Sequence, residues 1–255
     1  MEEGKFILKI YRGTSKHQYW EEFELDRKPG LNIISALMEI QKNPITKEGL
    51  KVEPIVWEMA CLEEVCGSCS MLINALPRQA CTALIENLIK ESEIKIITLA
   101  PFSKFPLIRD LVVDRSSMFE SLKKIKGWIP IDDFHSDEFG PKISPIKQEA
   151  MYVESTCMTC GCCLEACPQI NNNSKFIGAA AINQVKLFNA NPTGAVLKKE
   201  RLQTMMAEGG ISECGNAQNC KAVCPKKIPL TQSIAQIGSD TTKEFFNSAL
   251  GLPEN

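Results

Sequence analysis

Twelve cysteines in a chain of 255 residues fall into three runs. The central run, Cys157-Met-Thr-Cys160-Gly-Cys162-Cys163-Leu-Glu-Ala-Cys167-Pro168, contains the spacing C-x2-C-x2-C-x3-C-P. Three thiolates at this spacing wrap the corners of one iron–sulfur cubane, and the fourth points away toward a second cluster. The proline ends the loop and fixes the next turn. Such a run requires a partner, and Cys214-Gly-Asn-Ala217-Gln-Asn-Cys220-Lys-Ala-Val-Cys224-Pro225 supplies it. The first, third and fourth ligand positions fall on Cys214, Cys220 and Cys224, but the second falls on Ala217. A corner without a thiolate does not hold its iron, so the second cluster is expected to be [3Fe–4S]. Crossed ligation then gives Cys157, Cys160, Cys163 and Cys224 to a [4Fe–4S] cluster, and Cys167, Cys214 and Cys220 to the [3Fe–4S] cluster. Cys162 is off register for both and reads as a buried free thiol.

The first run is different. Cys61-x4-Cys66-x2-Cys69, closed by Cys81, has the plant-type spacing of a [2Fe–2S] site. Gly67 and Ser68 suit a loop whose backbone N–H groups approach the cluster closely. Glu58, Glu63 and Glu64 surround it; they read first as solvated loop charge, and alternatively as negative charge that lowers the cluster potential. Disulfides would need an export signal, and the thiols are bunched too closely for six bridges. Structural zinc pairs C-x2-C knuckles over a longer spacer, and the two histidines, His17 and His135, are isolated in sequence. There is no GxGxxG and no nucleophile or acid–base pair. Three clusters without substrate chemistry describe an electron wire whose dinucleotide site is on another subunit.

The elements that must hold these loops come in two sets. Residues 5–11 and 18–25 read as a hairpin turning at Gly13-Thr14-Ser15. Asn32 caps a helix to about Lys42 with Ile33, Ile34, Leu37 and Met38 on one stripe. Two strands and a helix are how a β-grasp ferredoxin begins. Met71-Leu-Ile-Asn reads as a strand, and Ile94–Leu99 as the strand that closes the domain. Met118–Lys126 is expected as a helix with Phe119, Leu122 and Ile125 on one face. Lys123, Lys124 and Lys126 lie off that face, as wet charge or as contacts for an acidic partner or anionic lipid. Residues 127–147 read as an irregular connector whose Trp128, Ile129, Ile131 and Phe134 pack on the protein or on a partner. Phe176–Asn189 and Lys198–Gly209 read as helices, the second with Leu202, Met205 and Met206 on one face. The expected fold class is α+β: a β-grasp plant-type ferredoxin domain over residues 1–105, then an all-α, bacterial-ferredoxin-like domain over 106–255.

A net charge of −2 lacks a nucleic-acid footprint. No uncharged apolar run reaches the roughly 18 residues a membrane span needs. Met1-Glu-Glu-Gly-Lys runs directly into a β-prone segment with no leader pattern, so export is not expected. Membrane association would come through a partner.

The ligand order plant-type [2Fe–2S], [4Fe–4S], [3Fe–4S] resembles the iron–sulfur subunit of succinate dehydrogenase and fumarate reductase. The resemblance runs over nearly the whole chain, through Phe105-Pro-Leu-Ile-Arg-Asp-Leu-Val-Val-Asp114, Lys175-Phe-Ile-Gly178 and Cys224-Pro-Lys-Lys-Ile-Pro229. Leu187-Phe-Asn-Ala-Asn-Pro-Thr-Gly194 and Glu208-Gly-Gly210 look most like its menaquinone-linked bacterial branch. The resemblance implies a flavoprotein partner with covalent FAD, and a membrane anchor that is a di-haem cytochrome b. It implies menaquinone reached through that anchor, and a place on the cytoplasmic face of the cell membrane. Electrons would run from FAD through the three clusters to haem or quinone. The alternatives are quinol:fumarate reduction along the same wire in reverse, or another flavin-linked dehydrogenase. Ubiquinone-reducing members carry a tryptophan where this chain has Asn172, and a histidine where it has Gly215. The departures imply quinone chemistry elsewhere in the anchor, with Pro168 and Ile170 lining the contact beside Asn172.

Overall fold

A computed structural model describes residues 4–92, 95–130 and 141–251. Two compact units emerge: residues 1–115 with 158–166, and residues 116–157 with 167–255. The first unit therefore runs ten residues past the expected break at 105 and takes in the middle of the central cysteine run. Glu165 supplies a physical reason. It is buried, and its carboxylate accepts from the Ser103 N–H (3.0 Å) and hydroxyl (2.6 Å) and from the Lys104 N–H (3.1 Å).

The first unit is built on a mixed sheet. β1 (Lys5–Thr14) and β2 (His17–Asp26) pair antiparallel from Lys5↔Asp26 to Thr14↔His17. The turn thus sits at Ser15-Lys16, later than expected. Gly13 lies in the strand instead, where an added Cβ would meet the His17 carbonyl oxygen at 2.1 Å. α1 (Ile33–Lys42) starts as the sequence indicates, with the Asn32 side chain accepting from the Ser35 N–H at 2.8 Å. β3 (Ser70–Ile73) and β4 (Leu76–Gln79) form a second hairpin, followed by α2 (Ile85–Ser92). β5 (Ile96–Ala100) runs parallel to β1 and antiparallel to β3; the expected start of this strand, Ile94, lies outside the described residues. The strand order is β2-β1-β5-β3-β4. One face buries Phe6, Leu8 and Ile10 of β1 against Ile33, Leu37 and Ile40 of α1. β6 (Leu107–Arg109) and β7 (Val112–Val113) make a small ribbon.

The second unit is helical. α3 (Ser116–Lys124) differs from expectation in its inward face: Met118 is buried while Phe119 is 63% exposed. α4 (Pro145–Ser155) begins inside the stretch read as a connector. Ser144 accepts from the Lys147 N–H, and Pro145 stands in the first turn, where its missing N–H costs nothing. Ile131, Phe134 and His135 lie outside the described residues. α5 (Cys162–Glu165) is a single turn in the stretch that belongs to the first unit. α6 (Gly178–Ala190) and α7 (Lys198–Met206) match the two expected helices, although Met206 turns outward while Leu202 and Met205 are buried. α8 (Asn219–Val223) and α9 (Leu230–Leu250) complete the unit. Its core joins Ile125, Ile177, Ile182, Val185, Met205 and Ile237, and Cys167 and Cys214 pack against it. Among the described residues, no helix is long and apolar enough to cross a membrane.

Candidate metal centres

The first-run thiols meet in the first unit. Cys69 and Cys81 are buried against the sheet core, while Cys61 is half-buried and Cys66 exposed. The loop between Cys61 and Cys69 folds so that its amides face sulfur. The N–H groups of Val65 and Cys66 each donate to Cys61 Sγ at 3.3 Å. Those of Cys61 and Ser68 donate to Cys66 Sγ at 3.5 Å. Left-handed residues make this possible: Leu62 (φ 63°), Glu64 (φ 58°) and Gly67 (φ 76°). Alternating left- and right-handed residues turn successive N–H groups inward into a concave nest that receives anions, iron–sulfur clusters among them. Each non-glycine residue in that region costs on the order of 1–2 kcal/mol. Such strain persists where an anion repays it.

Electrostatics sets Cys66 and Cys69 apart. The Cys61 N–H, followed by the hydroxyl and N–H of Ser68, lowers the Cys66 thiol to about 6. Burial pushes Cys69 up to about 12. Gln79 braces this inner side: its Oε1 lies 3.5 Å from Cys69 Sγ, and its Nε2 donates to the Ser70 hydroxyl at 2.8 Å and to Cys162 Sγ at 3.5 Å. Of the three glutamates read as loop charge, Glu58 pairs with Arg115 at 3.3 Å, and Glu64 accepts from the Thr82 hydroxyl at 2.9 Å.

The two later runs share a backbone. Thr159 (φ 52°) and Gly161 (φ 89°) are left-handed in the loop after Cys157; Asn216 (φ 53°) and Gln218 (φ 60°) are left-handed in the loop after Cys214. In register from Cys157 and Cys214, these are equivalent positions. The short helices that follow, beginning at Cys162 and Asn219, are equivalent too. Cys160 and Ala217 therefore occupy the same place in two copies of one ligand loop. In the second unit a cavity is lined by Cys167, Cys214 and Cys220, with Ala217 also in its lining.

Cys157 and Cys224 lie in the second unit, and Cys160 and Cys163 in the first. A hydrogen bond with Cys162, then backbone N–H groups and the Arg115 charge, lowers Cys160 to about 7 against its burial. Cys162 is fully buried, at 0% exposure, and its thiol is pushed up by the hydrogen bond with Cys160 and by that burial. Burial likewise raises Cys220. Pro168 and Asn172 are exposed, whereas Ile170 is half-buried against the helical core. None of the twelve cysteines forms a disulfide. Among the described residues, no three His, Cys, Asp or Glu side chains converge on a single ion. Cluster ligation spreads thiolates over several irons and does not need that convergence.

Sequence reasoning missed the residues that hold these loops. Asp110, buried at the turn of the β6–β7 ribbon, accepts from the Gly13 N–H (2.8 Å) and the Val56 N–H (2.9 Å), and pairs with Arg12 at 3.3 Å. Arg12 also binds Glu21 at 2.6 Å and the Pro54 carbonyl at 3.2 Å. This network ties the segment entering the first ligand loop to the sheet. The only signal in the sequence was a charged pair, Arg109-Asp110, inside an apolar run. Arg115 donates to the Gly67 and Ser68 carbonyls at 3.0 and 2.8 Å; no spacing rule marks it.

A sheet unit with a cysteine nest and a helical unit with a three-cysteine cavity define an iron–sulfur protein. Residues 7–120 match the 2Fe-2S iron-sulfur cluster binding domain family, and residues 154–228 the 4Fe-4S dicluster domain family. The chain is 52% identical to the succinate dehydrogenase iron-sulfur subunit of Bacillus subtilis, over 97% of this chain and 96% of that one. It is 32% identical to the fumarate reductase iron-sulfur subunit of Escherichia coli O6:H1, over 93% and 91%. A chain of the Mycobacterium smegmatis Sdh1 complex in the apo form shares the fold, with a TM-score of 0.80 at 21% identity and coverage of 96% and 98%. The chain belongs to the family of succinate dehydrogenase and fumarate reductase iron–sulfur subunits.

Proposed function

We propose that this chain is the electron-transfer subunit of a membrane-bound succinate:quinone oxidoreductase of the menaquinone-linked bacterial branch. When bound, the clusters supply one-electron relay from FAD in a flavoprotein subunit, through [2Fe–2S], [4Fe–4S] and [3Fe–4S], to haem or quinone in a di-haem cytochrome b anchor. The anchor holds the chain on the cytoplasmic face of the membrane. The direction of flow is set by the partners' potentials, so the same wire serves fumarate reduction.

The chain's own part is to hold, insulate and bias the clusters. Cys61, Cys66, Cys69 and Cys81 hold [2Fe–2S] in the nest of inward N–H groups. The strand order β2-β1-β5-β3-β4 supports reading this unit as a β-grasp, plant-type ferredoxin domain. Cys157, Cys160, Cys163 and Cys224 hold [4Fe–4S], a reading that rests on their spacing. Cys167, Cys214 and Cys220 hold [3Fe–4S] in the helical, bacterial-ferredoxin-like domain. The exposed side chains of Met59, Leu62 and Val65 beside the half-exposed thiols suit a docked flavoprotein. Pro168 and Asn172, exposed beside the third site, suit contact with the anchor. Ile170 supports that edge from beneath.

The observation that carries the reading is the cavity of Cys167, Cys214 and Cys220 with Ala217 at the position equivalent to Cys160. Ala217→Cys tests it. The substitution is expected to complete a fourth corner and to convert the oxidised-state three-iron EPR signal into a [4Fe–4S] species. A three-iron spectrum that persists unchanged would mean that position 217 does not face the vacant corner.

A further inference from the structure

Within the first unit, the loop between Cys66 and Cys69 abuts the stretch that carries Cys160. Gly67 makes the contact: a Cβ there would lie 2.9 Å from both Cα and Cβ of Cys160 and 3.0 Å from the Met158 carbonyl oxygen. Arg115 grips the same place. Its two terminal nitrogens donate to the Gly67 and Ser68 carbonyls, its side chain is 15% exposed, and its Nε is buried without a hydrogen-bond partner. The carboxylate that pairs with it, Glu58, is itself 47% exposed at 3.3 Å, so solvent weakens its opposing charge without cancelling it. A guanidinium stays charged at any working pH. A fixed cation thus sits where the ligand loop of one cluster touches a ligand of the next.

We infer that Arg115 is a positioning and potential-setting residue: clamped on Gly67–Ser68 beside Cys160, it holds the [2Fe–2S] and [4Fe–4S] clusters at higher reduction potential than a neutral residue would, and Glu58 partly offsets it. The inference rests on the cluster assignment proposed above. Its physics is simple. A reduced cluster carries one more negative charge than an oxidised one, so a nearby cation favours reduction, and more strongly where water is excluded. Gly67 serves the same junction, because no side chain fits between the two loops.

The test is an EPR-monitored redox titration of the intact complex carrying Arg115→Gln, Arg115→Lys or Glu58→Gln. Arg115→Gln is expected to weaken reduction of both clusters about tenfold, which is about 59 mV for a one-electron couple, and to leave the [3Fe–4S] couple where it is. Arg115→Lys keeps the charge and is expected to stay close to the parent. Glu58→Gln removes the opposing charge and is expected to shift both couples upward. Equal shifts in the Gln and Lys variants would overturn the inference, since they would report lost packing and not lost charge; so would no shift in the Gln variant. If Arg115→Gln fails to assemble, Glu58→Gln decides: an upward shift supports the charge effect and its absence overturns it. A parent complex without [2Fe–2S] and [4Fe–4S] signals would overturn the cluster assignment itself, and this inference with it.

Discussion

Gly67 and Asp110 hold the backbone around the first cysteine loop. Gly67 is held at φ 76° with Cys160 where a side chain would go. Gly67→Ala faces both strain and a backbone clash, and the expected outcome is loss of the [2Fe–2S] absorbance with weakened [4Fe–4S] occupancy, read by iron content and EPR. Asp110 is buried with a cation and two backbone amides on its carboxylate. Removing one partner of a buried pair costs about 3–5 kcal/mol, so Asp110→Ala should shift chemical denaturation by about that much; a change under about 1 kcal/mol would mean that the pair behaves as if solvated. The thiols give a pH test on the cluster-free chain. Cys66, held near 6, is thiolate above that pH, and Cys69, near 12, stays protonated through neutrality. Alkylation is expected to take Cys66 well before Cys69, its rate falling as pH drops through about 6. Equal rates for the two at neutral pH would contradict this ordering.

Elements were legible where pattern and cap agreed. The β1–β2 hairpin alternates apolar and polar residues, and α1 has an Asn32 cap and an apolar stripe, so both follow from sequence. β3 follows from the strand read at 71–74, but its partner β4 hid because the two-residue turn between them is Asn74-Ala75, without the glycine that usually marks such turns. Both residues are left-handed, at φ 50° and 61°. Ala75→Gly should relieve the strain there and raise stability by about 0.5–1 kcal/mol, measured as a higher Tm; a lower Tm would mean that the alanine packs. α9 was missed although it runs from Leu230 to Leu250, because its apolar residues are sparse between polar ones. Phe119 and Met206 read as inward by residue type, yet tertiary packing turns them out. Arg201 shows the limit of pattern reading most clearly. It lies on α7 at 0% exposure and donates to the carbonyls of Lys126, Gly194 and Trp128 and to Asn189 Oδ1. A charged residue in a helix reads as surface, and only the acceptors it collects just past α3 and around the end of α6 explain its burial.

The molecule divides its labour between two units. The sheet unit has a ladder of strands and a core of Phe, Ile and Leu that do not depend on metal. The helical unit has fewer buried apolar side chains in its main described cluster, and Cys167 and Cys214 pack directly on them. Cluster binding free energy is also folding free energy where ligands are not otherwise held. Iron chelation is therefore expected to speed amide exchange in α6 and α9 well before β1 and β5, and the reverse order would place the metal dependence in the wrong unit. The cysteine spacing marks the candidate ligand sets; the left-handed backbone pairs at 159/216 and 161/218, which put Ala217 in register with Cys160, emerged only with the fold. That register carries the whole account. The most direct measurement is Mössbauer and EPR spectroscopy of the oxidised complex with iron analysis. The account predicts about nine irons on this chain, as one [2Fe–2S], one [4Fe–4S] and one [3Fe–4S] cluster. About ten irons with two [4Fe–4S] clusters and no three-iron signal would contradict it.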